Sequence, residues 1–124
     1  MSISPKPKEN FGENSLHDAI EILAIQQSLQ GKKHAFSTII EHYTPLLYSL
    51  AYRMLGNSEE AEEAVQEIFL RVYKSLRKFR LSQRFYPWVY TIALNYLRSH
   101  LRRRWRRKKH EVLRFEDMGS EGDI

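Results

Sequence analysis

Apolar residues recur at helical spacing along most of this chain, and no stretch shows the alternation of a half-buried strand. The clearest stripe is Ala61, Ala64, Val65, Ile68, Phe69, Val72, Tyr73 and Leu76. Asn57 stands three positions ahead of Glu60, the spacing of a capping box, with Ser58 as the alternative cap. Upstream, Phe36, Ile39, Ile40, Tyr43, Leu47, Leu50, Ala51, Met54 and Leu55 predict a helix over about 34–55 with a broad apolar face, ended by Gly56. Pro45 removes one hydrogen bond and crowds the carbonyl of Glu41, so a kink or brief break is expected there. A shorter stripe of Leu16, Ile20, Leu23, Ala24 and Leu29 predicts a first helix, capped by Ser15 and stopped by Gly31. Downstream, Trp88, Val89, Ile92, Ala93, Tyr96, Leu97 and Leu101 predict a fourth, with Pro87 in its first turn. The expected fold class is all-α: a compact bundle of about four helices with a long basic C-terminal helix.

The polar faces carry the functional signal. On another side from its apolar stripe, the last helix presents Thr91, Asn95, Arg98, Ser99, Arg102, Arg103 and Arg106. Cations for phosphates, amide and hydroxyl groups for base edges, and the aromatics of RFYPW at its entrance suit a nucleic-acid strand. The third helix has Glu59, Glu62, Glu63, Gln66 and Glu67 in its first half and Arg71, Lys74, Arg77 and Lys78 in its second, an order that complements the helix dipole. The same pattern leaves Leu70 exposed among polar groups, as a docking point for another helix would be. Spacing alone leaves both readings open.

Charge sharpens this picture. The 124 residues hold one small domain with a net charge of +5, but no Asp or Glu occurs from Ile68 to His110, and fourteen of the twenty cations lie there. So segregated a field attracts polyanions and makes their binding salt-dependent. Residues 1–14 read as a flexible leader and 15–110 as the helical domain. Residues 111–124 turn acidic, with Gly119 and Gly122, and read as a flexible linker. The absence of cysteine removes disulfides, thiolate chemistry and the commonest zinc sites. His17, His34, His42, His100 and His110 lack ligand spacing, and neither a Gly-rich phosphate loop nor a hydrolase triad order appears. The expectation is a soluble, cytoplasmic binding protein, not an enzyme, with no cofactor and no metal.

Two long segments, SEEAEEAVQEIFLRVYKSLRKF and RFYPWVYTIALNYLRSHLRRR, resemble region 2 of the extracytoplasmic-function (ECF) sigma factors, bacterial initiation factors that direct RNA polymerase to promoters. The preceding AFSTIIEHYTPLLYSLAYRMLGN is similar to the opening helix of that domain, so the resemblance covers roughly residues 22–107. It implies docking of Gln66, Glu67, Leu70 and Arg71 on the clamp helices of the largest subunit of RNA polymerase core. It further implies that the connection containing Arg80, Arg84 and Phe85 captures a flipped base of the promoter −10 element. Trp88 would lie beside the point of strand separation, although a core role fits it equally well.

By the same resemblance, Asn95 and Ser99 would read bases of the non-template strand, while Arg98, Arg102 and Arg103 hold phosphates. Ser99 stands where many members carry Asn or Asp, so the preferred base does not follow. A single Trp88 in place of the aromatic pair of primary sigma factors fits a factor that melts only strong promoters. Region 4, which reads the −35 element in the family, has no counterpart in these residues, and the reading is an isolated domain of a longer protein whose linker begins at 111. Factors of this kind are often held by an anti-sigma protein. The alternative reading is a stand-alone helical DNA- or RNA-binding module that does not bind polymerase.

Overall fold

The structure, a computed structural model, describes residues 19–123. Among these residues the regular structure is four α-helices and one 3-10 turn: α1 (19–29), α2 (Lys33–Leu55), α3 (Ser58–Ser75), the 3-10 turn Leu76–Lys78, and α4 (Phe85–Asp123). The leader, the Ser15 cap and Leu16 lie outside the described residues.

The core sits where α2, α3 and α4 meet. Ile39, Tyr43 and Leu47 of α2, Ile68 and Val72 of α3, and Val89 and Leu97 of α4 are fully buried. Each such side chain removed from water contributes roughly 1.5–3 kcal/mol before the entropy cost of ordering it. Ala51, Ala61 and Ala93 are also fully buried, and their small side chains let the helix backbones approach closely.

Local chemistry sets the element ends. Gly56 adopts φ +72°, a left-handed conformation that glycine enters without steric cost, and its N–H donates to the Tyr52 carbonyl at 2.8 Å. Asn57 Oδ1 then accepts from the Glu60 amide at 2.9 Å, which fixes the start of α3 as the capping-box spacing predicts.

Three expectations are corrected. Of the kink or brief break expected at Pro45, the break does not occur, since α2 runs through it. A lost hydrogen bond is outweighed by burial of Tyr43, Leu47, Leu50 and Ala51 on one face spanning the proline. In α1 the buried residues are Ala24, Ile25 and Ser28, whereas Ile20, Leu23 and Leu29 are exposed, Leu23 at 54%. The Tyr43 hydroxyl donates to the Glu21 carboxylate and so holds the rotation of α1 against α2. The expected flexible linker from 111 is instead the continuation of α4 to Asp123. No proline follows Pro87, and each interior glycine costs only about 1 kcal/mol, so nothing stops the helix.

Candidate nucleic-acid interface

The basic half of α3 and the middle of α4 form the two walls of a cleft of about 430 Å³. Arg71, Lys74 and Ser75 line it from α3, on the edge of the face that buries Ile68 and Val72. From α4 come Ile92, Asn95, Tyr96, Ser99 and Arg103, spaced so that they share one side of the helix beside the buried Val89–Ala93–Leu97 stripe. Packing of α3 against α4 therefore aims two helix edges at a common space.

The cleft combines three kinds of surface. Ile92 and the Tyr96 ring supply apolar area. The Arg71 guanidinium carbon lies 4.9 Å from the centre of that ring and the Arg103 guanidinium carbon lies 6.0 Å from it, so two cations share one aromatic. Asn95 brings an amide able to donate and accept, and Ser99 a hydroxyl whose oxygen accepts from Arg102 Nη2 at 3.1 Å. A volume of this size suits a small planar ligand or one unit of a chain, and the surrounding charge selects an anion.

Most of the sequence-derived candidates occupy surface positions. Asn95, Ser99 and Arg103 come together in the cleft, and Arg98 and Arg102 are exposed on the same helix. Arg80 and Arg84 are exposed in the connection before α4. Phe85 is the correction: it is only 5% exposed, with ring centres 5.1 Å from Phe79, 5.8 Å from Tyr43 and 5.6 Å from Trp88. Its ring anchors the start of α4 in the core and is not presented to a base. Trp88 is half-buried in the same cluster, 5.0 Å from Phe79.

On the face of α3 that adjoins the cleft, Gln66 and Leu70 are exposed, Leu70 at 52%, and Glu67 pairs with Arg71 at 3.4 Å. Arg71 therefore borders both this face and the cleft, which its sequence position alone does not reveal. Tyr96, Ile92, Lys74 and Ser75 were missed as site residues. The two apolar ones border the core stripe and read as part of it, but their spacing with Asn95, Ser99 and Arg103 is a usable signal.

Not every cation of α4 faces outward. Arg104 Nη2 donates to the Leu55 carbonyl at 3.0 Å and lies 3.6 Å from Glu60 Oε1, the same oxygen that His100 Nε2 meets at 3.2 Å. Arg104 thus joins α4 to the end of α2 and the start of α3. Beyond this tie Trp105 is 64% exposed, with the Lys109 ammonium 5.3 Å from its ring centre. Among the described residues no group of three His, Cys, Asp or Glu is placed to hold a metal, and no helix is long and apolar enough to cross a membrane.

Comparison with known proteins fits this geometry. Residues 39–107 match the family model described as Sigma-70 region 2. The chain is 38% identical over 98 residues to the ECF RNA polymerase sigma factor SigW of Bacillus subtilis, covering 79% of this chain and 51% of that protein. It is 32% identical over 93 residues to the RNA polymerase sigma-H factor of Pseudomonas aeruginosa, covering 75% and 48% respectively. The chain thus spans about half the length of the relatives it matches. Among solved structures it is similar, with a TM-score of 0.64 and 28% identity over 68% of this chain and 88% of the other, to an engineered region 2 of sigmaE in complex with GTAAAA. With the match running from within α2 to the Arg-rich part of α4, and so containing both walls of the cleft, the chain belongs to the sigma-70 region 2 family.

Proposed function

We propose that this chain is the region of a bacterial ECF-type sigma factor that docks on RNA polymerase core and recognises and melts the promoter −10 element. The observation that carries the reading is the cleft: Asn95 and Ser99 stand among Arg71, Lys74, Tyr96 and Arg103, in a domain similar to an engineered region 2 of sigmaE solved in complex with GTAAAA. Extracting a base from the duplex costs a few kcal/mol, and stacking recovers about 1–3 kcal/mol per base. Tyr96 and the exposed Tyr86 at the start of α4 supply stacking area, Asn95 and Ser99 meet base edges, and Arg98, Arg102 and Arg103 hold the backbone. Arg80 and Arg84 add positive charge where the strands part.

The exposed face of α3 around Gln66, Glu67 and Leu70 takes the clamp helices of the largest subunit, by insertion of Leu70 into an apolar groove with polar contacts around it. The chain binds and the polymerase performs the chemistry, so this reading assigns it no catalytic residue and no cofactor. It works in the cytoplasm, where polymerase and promoter are, and an anti-sigma protein is a further partner of this class. The test is a pull-down of core polymerase with the chain, followed by selection of non-template oligonucleotides retained by the complex. Recovery of polymerase with an enriched −10-like motif supports the proposal; retention of oligonucleotides without polymerase favours a stand-alone nucleic-acid module.

A further inference from the structure

Past Arg104, whose guanidinium meets Leu55 and Glu60, α4 leaves the bundle. Every residue from Trp105 to Arg114 is exposed, and the helix still continues to Asp123. Helices draw most of their stability from packing an amphipathic face, and this part of α4 has one to offer. Leu101, Trp105 and Val112 stand four and seven residues apart on one side of the helix, with Trp105 64% and Val112 55% exposed. Leu101 and Trp105 line an open hollow of about 460 Å³ together with Arg102 and Arg106.

The order of charge beside this stripe identifies what covers it. Arg102, Lys109, Glu116 and Asp123 follow one another at intervals of seven residues and so share one edge of the helix, two cations and then two anions. Such an edge is complementary to itself when reversed. In an antiparallel pair of chains Arg102 opposes Asp123 of the second copy and Lys109 opposes Glu116, each pair occurring twice about a two-fold axis. A parallel pair instead sets the run from Arg102 to Lys109, which contains no acid, beside its own copy. Lys108 interrupts the apolar stripe, and a single polar residue at such a position specifies register at a cost in stability. We propose that the free part of α4 is a self-association surface, on which a second copy of this chain pairs antiparallel with Trp105 as the apolar anchor. The apolar contact is confined to a few side chains, so the pair is transient and its population rises with concentration.

The experiment is sedimentation equilibrium of the 124-residue chain, without DNA or polymerase, over a concentration series at low and high salt. At low salt the average mass is expected to rise with concentration towards twice that of one chain, and added salt to reduce it by screening the exposed pairs. Trp105→Ala weakens association about tenfold or more and leaves the thermal melt of the bundle unchanged. Arg102→Glu with Lys109→Glu makes the edge acidic throughout and abolishes the dimer. Glu116→Lys with Asp123→Lys makes it basic throughout and does the same. All four substitutions together restore association, because the reversed order is again self-complementary. An unaltered chain that stays monomeric across the series overturns the proposal. So does a dimer indifferent to Trp105→Ala or to either charge reversal, and failure of the fourfold variant to associate excludes antiparallel pairing. With no strand present, these outcomes leave the reading of the cleft untouched.

Discussion

Arg104 donates from Nη2 to the carbonyl of Leu55 at 3.0 Å and thereby ties the basic run on α4 to the last residue of α2. The carbonyl is an orphan acceptor of a helix end, and the same guanidinium lies 3.6 Å from Glu60 at the start of α3. One cation thus closes the bundle at the end where α4 leaves it, and its Nε is buried without a partner in the structure. Arg104→Ala is expected to cost about 1–3 kcal/mol of stability in chemical denaturation, because the carbonyl loses its donor. Arg106→Ala, outside any such contact, should stay within about 0.5 kcal/mol of the parent.

Phe85 and Arg84 are neighbours with opposite expected phenotypes. Phe85→Ala opens a cavity among Phe79, Tyr43 and Trp88 and should destabilise the fold by about 3–5 kcal/mol. Arg84→Ala should leave the melting temperature unchanged and weaken binding of all strands alike, because it supplies only charge. Thermal melts and fluorescence anisotropy on the two variants check this pair.

Asn95→Ala should cost about 1–3 kcal/mol against the selected sequence and much less against a scrambled one, whereas Arg102→Ala should weaken both by a similar factor. Competition binding with the two oligonucleotides separates these outcomes. Equal loss on both sequences for Asn95→Ala would remove its base-reading role.

Leu70→Ala is expected to reduce retention of core polymerase without lowering the melting temperature. Its side chain is 52% exposed, so the cost falls mainly on the complex and not on the fold. Quantitative pull-down beside a thermal melt is the measurement.

How much of this was legible before the structure depended on whether one period explained a residue. The α2 and α3 stripes were readable because Ile39, Tyr43, Leu47, Ile68 and Val72 keep helical spacing and are all buried. For α1 hydropathy chose Ile20, Leu23, Ala24 and Leu29, of which the helix buries Ala24 alone, together with Ile25 and Ser28. A tertiary bond from Tyr43 to Glu21 sets that rotation, and no local pattern carries it. Tyr96 and Ile92 sit where core stripe and cleft adjoin, so their apolar character pointed to the core while their spacing with Asn95 and Ser99 pointed to the site. Arg104 could not be told from its neighbours by sequence, because its role comes from the Leu55 carbonyl, 49 residues earlier. The change of charge sign at Glu111 suggested a linker, but a sign change does not break backbone hydrogen bonds, and α4 continues through it.

The central claim is that a single strand is read in the α3–α4 cleft. Titration of the isotope-labelled chain with non-template single-stranded DNA, followed residue by residue by NMR, tests it most directly. The account predicts the largest shift changes at Lys74, Asn95, Tyr96, Ser99 and Arg103, and smaller ones on the docking face. Changes confined to the exposed helix beyond Trp105, or equal changes with duplex DNA of the same charge, would contradict it.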